Sequence, residues 1–196
     1  THLFPANLSR IFFIHVETQR LSGEPSVLGW QVWEPDTRQV RESRVWTMES
    51  EEDRCRVWKT FAGKLAHRWE ESIHFGRGPH LFHLGARSRR ALIQWAGQAL
   101  ENICPFLCQT RPSPWTDLET VLTRHFYMPI PGVISFYTLG QVFGCNPSLV
   151  PPPTLFHQSG GTALDLAARE VKQGLAVMAE IFEKVVLRLE SGWVRE

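Results

Sequence analysis

The sequence predicts a single α/β domain with a central mixed sheet flanked by helices. Three segments have the pattern of strands before any helix occurs, at 10–16, 26–33 and 39–46, and Pro, Gly and Asp stand in the turns between them. A helix, a short strand and a second helix follow, and such alternation favours parallel pairing. We therefore expect three antiparallel strands first and parallel strands after them.

Composition places the chain among ordinary globular proteins. Its 196 residues are 43% hydrophobic and 21% charged, which fits one domain over 1–196, although this domain could belong to a longer chain. A formal net charge of +1 creates no overall field that demands nucleic acid or a membrane. Neither a membrane-spanning run nor a signal peptide is evident, so a cytoplasmic location and no membrane partner are expected.

The first helix is predicted from acids at 49–53 followed by apolar residues every fourth position. A short strand at 80–84 and a helix at 86–102 come next, and 105–114 is irregular. Further helices are predicted at 115–125, 135–144 and 162–189, and a Pro-rich loop at 147–153 precedes the last of them.

The tryptophans and cysteines are expected to have mostly structural roles. Most tryptophans follow the apolar pattern and are predicted to be core, whereas Trp115 and Trp193 are candidates for exposure. The cysteines are expected to be reduced thiols; a zinc site at the closely spaced pair is the less favoured alternative. These residues are Cys55, Cys104, Cys108 and Cys145.

The first strand carries two polar side chains on one face. Because strand side chains alternate, His15 and Glu17 point the same way from an otherwise apolar segment. A buried strand has little reason to carry such a pair unless it contributes to a site or the two side chains satisfy each other.

Later segments, together with this strand, resemble exonucleases of the DnaQ type, which have the ribonuclease-H fold. The likeness is to the RecB-type nuclease branch, often fused to helicases, and extends from Ile11 to about Leu189. The matching segments are 83–88 (HLGARS), 115–118 (WTDL), 131–139 (PGVISFYTL) with Gly144, and 170–174 (EVKQG). The resemblance implies a ribonuclease-H-like fold and a DEDD-type metal site.

That implied metal site has lost most of its acids. The resemblance places the acids at His15, Glu17, Ser88 and Gly174, of which only Glu17 is acidic, and places a tyrosine at Glu170. Two divalent ions need several oxygen ligands, so no cofactor is expected and Glu17 is only a weak metal candidate. His15, Glu17 and Glu170 could instead hold one Mn²⁺ or Zn²⁺ ion. A hydrogen-bonded His15–Glu17 pair in a closed pocket is the favoured interpretation.

Several basic residues lie at the junction between the fourth strand and the next helix. Arg87, Arg89 and Arg90, with His83 just before them, are candidate nucleic-acid ligands, because related exonucleases pass nucleic acid at this place. The competing interpretation is a solvated helix start, which the nearby acids Glu70 and Glu71 favour.

The resulting functional hypothesis is a catalytically inactive exonuclease-like module, a pseudo-nuclease. It would bind nucleic acid, DNA or RNA, or a protein partner such as a helicase or nuclease subunit. One alternative is an active 3′–5′ exonuclease that uses Mg²⁺ or Mn²⁺ with rearranged acids such as Asp165 or Glu170. A second alternative is a purely structural protein-interaction domain.

Overall fold

The computed structural model describes residues 8–19, 22–74, 78–85, 88–94, 115–125, 135–146 and 162–186. Its strands are β1 (Leu8–Thr18), β2 (Pro25–Glu34), β3 (Gln39–Thr47), β4 (Gly78–His83) and β5 (Trp115–Asp117). Its helices are α1 (Glu51–His74), α2 (88–94), α3 (Leu118–His125), α4 (Phe136–Val142) and α5 (Ala163–Ile181), and a π-helix (Phe182–Val186) continues α5.

The strands form one mixed sheet in the order β3-β2-β1-β4-β5. β1 pairs antiparallel with β2, and β2 with β3, whereas β1 with β4 and β4 with β5 are parallel. This arrangement confirms the predicted α/β fold with three antiparallel strands followed by parallel ones. β1 lies at the centre of the sheet, which explains its long apolar run.

Two hydrophobic cores cover the two faces of the sheet. Alternate residues of β1, such as Phe12 and Ile14, pack with α1 on one face, whereas Ile11 and Phe13 pack with α5 on the other. The four-residue apolar spacing of α1 is therefore its core face, as predicted. His15 continues the series of Ile11 and Phe13 and so belongs to the α5 face.

Gly29 of β2 allows α5 to approach the sheet closely. A Cβ at Gly29 would lie 2.3 Å from Val171 Cγ1 and 2.9 Å from Leu175 Cδ1. Gly29 is also the residue opposite His15 in the β1–β2 register. The absence of a side chain on Gly29 therefore sets how near α5 lies to the polar end of β1.

The segment 115–125, predicted as one helix, is a strand followed by a helix. Trp115 pairs with Leu81 of β4 and is 7% exposed, so its predicted exposure was wrong. Asp117 ends the strand and accepts hydrogen bonds from the backbone N–H of Gly85 and of Glu119. Pairing with a distant strand, which local periodicity does not contain, overrides the helical pattern here.

The last helix is shorter as an α-helix than predicted. It begins with a capping box, in which Thr162 and Asp165 each bond the other's backbone N–H, and it turns into a π-helix after Ile181. The expected strand at 80–84 occurs as β4, and the short helix at 135–144 as α4.

Several predictions fall wholly or partly outside the described residues. These are the continuation of α2 to 102, the irregular stretch 105–114, the start of the matching segment at 131–134, the loop 147–153, the end of the last helix at 187–189, and residues Arg87, Cys104, Cys108 and Trp193. Within the described part, Cys55 and Cys145 are free thiols. No helix in the described ranges is long and apolar enough to span a membrane.

Candidate active site

The polar end of β1 is a chain of hydrogen-bonded side chains. His15 Nε2 lies 2.9 Å from Glu17 Oε1, and His15 Nδ1 lies 3.2 Å from Ser88 Oγ, at the first described residue of α2. His15 is 8% exposed and Ser88 is 1% exposed. Residues 73 positions apart in the chain are thus joined inside the protein.

Ser88 also satisfies a backbone group that the sheet leaves unpaired. β4 pairs with β1 only as far as Phe13, and beyond that point the N–H of Val16 donates to Ser88 Oγ at 3.2 Å. The tautomer of His15 that satisfies the whole network carries its proton on Nε2, from which it donates to Glu17, and accepts the Ser88 hydroxyl proton at Nδ1.

Phe136 of α4 closes this site from the side of α5. Its ring meets the His15 ring edge to face, with centroids 4.7 Å apart. A Cβ at Gly174 would lie only 2.4 Å from Phe136 Cε2, so the aromatic ring occupies the space that a side chain at Gly174 would need. Phe136 and Gly174 therefore fit together as a pair.

Glu170 lies one helical turn before Gly174, and its charge acts on the same site. Its pKa is raised, first by loss of solvation and then by the negative charge of Glu17, while His15 opposes the shift. Glu170 and Glu17 are thus within electrostatic reach of one another. The structure links the five positions at which the resemblance placed the acids and the tyrosine of the metal site, through hydrogen bonds, the Phe136 ring or charge: His15, Glu17, Ser88, Glu170 and Gly174.

Sequence reasoning did not select Phe136 as a site residue. A glycine within an otherwise amphipathic helix, as at Gly174, is a signal of close approach by another group. It indicates that something large lies against α5, but the identity of that group follows only from the fold.

The order Ser88–His15–Glu17 has the connectivity of a hydrolase triad, but its chemistry differs. Ser88 Oγ accepts the Val16 N–H and is buried, so no substrate carbonyl reaches it. In the described part of the chain, no group of three or more His, Cys, Asp or Glu side chains is arranged to hold a metal ion. The hydrogen bonds of His15 satisfy both of its ring nitrogens, and Glu17 lies at the partly exposed end of the chain.

The candidate nucleic-acid residues are divided between interior and surface. His83 is 3% exposed, lies 2.8 Å through Nδ1 from the Gly85 carbonyl oxygen, and has a pKa lowered mainly by burial. Arg89 and Arg90 of α2 instead line a surface pocket. Contact with a ligand is thus open to the two arginines, whereas His83 lies in the interior beneath them.

Because His80 is buried, we expect the protein to lose stability in mild acid. Burial lowers its pKa from 6.5 to about 4, and its Nε2 lies 2.6 Å from Thr116 Oγ1. Since the unfolded chain binds this proton more readily, stability falls as pH drops from 6.5 towards 4. Between pH 7 and 5 we expect a loss of about 2 kcal/mol in urea-unfolding free energy. His80→Gln should flatten this slope, and His67→Gln, at an exposed histidine, should not. An unchanged slope in His80→Gln would contradict the prediction.

The fit of Gly174 to Phe136 predicts a coupled pair of substitutions. Gly174→Ala should destabilise the protein by about 1 to 3 kcal/mol, because the new methyl group overlaps the ring. In a Phe136→Ala background the same change should cost much less. Gly63→Ala is the control, since Gly63 lies in α1 with nothing within 4 Å of a Cβ. Urea unfolding of all variants measures the coupling, and purely additive losses would refute the contact.

The fold of the chain is similar to that of a solved 3′-exonuclease. One structure, described as 3′-end specific recognition of histone mRNA stem-loop by 3′-exonuclease, covers 92% of this chain and 84% of its own, with 10% identity and a TM-score of 0.57. A full-length 3′-exonuclease covers 91% of this chain and 83% of its own, with 11% identity and a TM-score of 0.37. The nuclease domain of a DEDDh family member bound to rAMP covers 92% and 94%, with 12% identity and a TM-score of 0.35.

No family model and no curated protein matches the chain. The first structure and the mixed sheet together establish the fold. The chain has the ribonuclease-H-like fold of a 3′-exonuclease, as predicted from the resemblance.

Proposed function

We propose that this protein is a catalytically inactive exonuclease-like module that binds nucleic acid within a larger nucleic-acid-processing assembly. Its ancestral metal site is degenerate, and it is related to the RecB-type nuclease domains. A helicase or nuclease subunit is the expected protein partner. The observation that carries the proposal is the hydrogen-bonded chain of Glu17, His15 and Ser88, with the Phe136 ring against His15.

The donor chemistry supports inactivity. Two divalent ions bring a charge of about +4 and require carboxylate oxygens from several segments. The described side chains at this place supply two carboxylates, Glu17 and Glu170, and an imidazole already bonded at both nitrogens. The space beside Gly174, where the resemblance expects a further acid, is filled by Phe136. The residues present therefore do not fit a two-ion site.

Nucleic-acid binding is supported by the arginines of α2. Arg89 and Arg90 follow Ser88 on the same helix and line a surface pocket, so this helix carries guanidinium groups that a nucleic-acid strand can reach. Guanidinium groups bind phosphate oxygens in a forked geometry and keep their charge at every physiological pH. A module that has lost hydrolysis can keep such contacts, because they do not depend on the metal.

A nuclease assay tests the inactivity directly. Labelled single-stranded DNA and RNA are incubated with the protein and Mg²⁺ or Mn²⁺. We expect no protein-dependent degradation and no difference between wild type and Glu17→Gln. Degradation that Glu17→Gln abolishes would refute the proposal, because it would require Glu17 to hold a catalytic ion.

One observation favours a working nuclease as the second candidate. The raised pKa of Glu170 means that a second carboxyl group lies near Glu17, as a rearranged one-ion site would need. Asp165, the other acid named for this alternative, lies in the capping box of α5. Its side chain accepts hydrogen bonds there from the backbone N–H and the hydroxyl of Thr162. This candidate therefore rests on Glu170, and it predicts Mg²⁺- or Mn²⁺-dependent cleavage that Glu170→Gln and Glu17→Gln abolish equally.

A binding measurement distinguishes the purely structural interpretation from the proposed nucleic-acid binding. If single strands bind neither tightly nor in a salt-dependent way, the module acts through protein contacts alone. Phosphate contacts weaken steeply with salt, whereas apolar protein contacts do not.

A further inference from the structure

A surface pocket on α2 has the composition of a nucleotide site. It has a volume of about 330 Å³ and is lined by Arg89, Arg90, Ile93 and Gln94. This volume lies at the lower end of the range found for small-ligand sites. The pocket is separate from the His15–Glu17–Ser88 chain, which contributes no lining residue.

Arg89 and Arg90 give the pocket two guanidinium groups, and guanidinium groups bind phosphate oxygens. The Arg89 Nε is buried away from the pocket, so a bound phosphate would meet the terminal nitrogens of that guanidinium. The positive charge of Arg89 also reaches inward, where it helps to lower the pKa of His83.

The other lining residues suit the rest of a nucleotide. Ile93 is 43% exposed, so an apolar surface stands open at the pocket where the face of a base could pack. The Gln94 amide can both donate to and accept from a base edge. Arg90 adds a second positive charge beside the first. The pocket therefore offers one group to the phosphate, one to the face of the base and one to its edge.

We propose that this pocket, formed by Arg89, Arg90, Ile93 and Gln94, binds one nucleotide of a single nucleic-acid strand, with its phosphate on the Arg89 guanidinium. The inference rests on the proposed nucleic-acid binding and locates it on α2. A strand bound at this pocket needs no metal ion, because both positive charges that meet it come from arginine side chains.

Fluorescence anisotropy with labelled single-stranded RNA and DNA tests the pocket. Wild type, Arg89→Ala and Arg56→Ala are titrated between about 50 and 200 mM salt. Arg56 is the matched control, because it is an exposed arginine on α1 bonded to Asp53. We expect Arg89→Ala to weaken binding by about tenfold and to reduce the salt slope by about one, and Arg56→Ala to change neither appreciably.

Two further measurements identify the contact. Arg89→Lys keeps the charge without the fork, so it should retain most of the salt slope while binding more weakly than wild type. A nucleoside 5′-monophosphate should displace the strand from wild type. Failure of the monophosphate to compete, even at high excess, would overturn the nucleotide assignment.

The outcomes distinguish this inference from the proposed function. If wild type binds strands and Arg89→Ala binds equally well, the pocket is wrong while nucleic-acid binding stands. If wild type binds no strand, the proposed nucleic-acid function fails and the pocket fails with it, even where the monophosphate alone binds. Circular dichroism of each variant confirms that the fold is intact.

Discussion

Replacing Gly29 by valine is expected to destabilise the protein by about 3 kcal/mol or more, because even a methyl group there overlaps α5. A Cβ atom at this position would lie 2.3 Å from Val171 Cγ1, a separation that real contacts do not show. α5 would have to move away from β2. Since α5 carries Glu170 and Gly174, that movement would also open the site around His15. Urea unfolding measures the loss.

A second variant separates steric overlap from other effects of Gly29. Val171→Ala removes the overlapping atom, so Gly29→Ala should cost clearly less in a Val171→Ala background than in wild type. Equal costs in both backgrounds would show that the close approach of α5 to β2 is not what requires glycine.

Replacing Ser88 by alanine is expected to cost roughly 2 to 4 kcal/mol of unfolding free energy, because two buried polar atoms lose their partner at once. These are the backbone N–H of Val16 and the Nδ1 of His15. The cavity left by the hydroxyl is too small to explain such a loss by itself. Urea unfolding at neutral pH measures it.

Ser72→Ala is the matched control for Ser88. Ser72 is equally buried, but its hydroxyl donates to the carbonyl oxygen of Arg68 within the same helix. Removing that hydroxyl leaves no donor unpaired, so the loss should stay within about 1 kcal/mol. Comparable losses at Ser88 and Ser72 would argue that the Ser88 hydroxyl is not shared between Val16 and His15.

Together these effects show how the polar groups of the proposed degenerate site are satisfied without a metal ion. In a two-ion site, cations neutralise the clustered acids. Here His15 bonds both Ser88 and Glu17, so no ion is needed for these polar groups to be satisfied. Phe136 fills the volume beside Gly174. The stability tests are thus informative about the site independently of any activity.

The order of elements could be predicted from the sequence because its signals are local. Alternation of apolar residues predicted the strands, four-residue spacing predicted α1, and the turn residues separated them. The shared face of His15 and Glu17 likewise follows from strand geometry alone. The candidate site positions came from the resemblance, and the structure gathers them at one place.

The amino-acid pattern alone therefore predicts the α/β order, the mixed sheet and the residue types available to the site. Three other features follow only from the packed structure: 115–117 joins the sheet, Ser88 bonds Val16 and His15, and Phe136 faces Gly174. Each of these depends on contacts between segments tens of residues apart. Local propensity and periodicity do not encode such contacts, because they arise only when the packed chain brings distant backbone and side chains within a few ångströms.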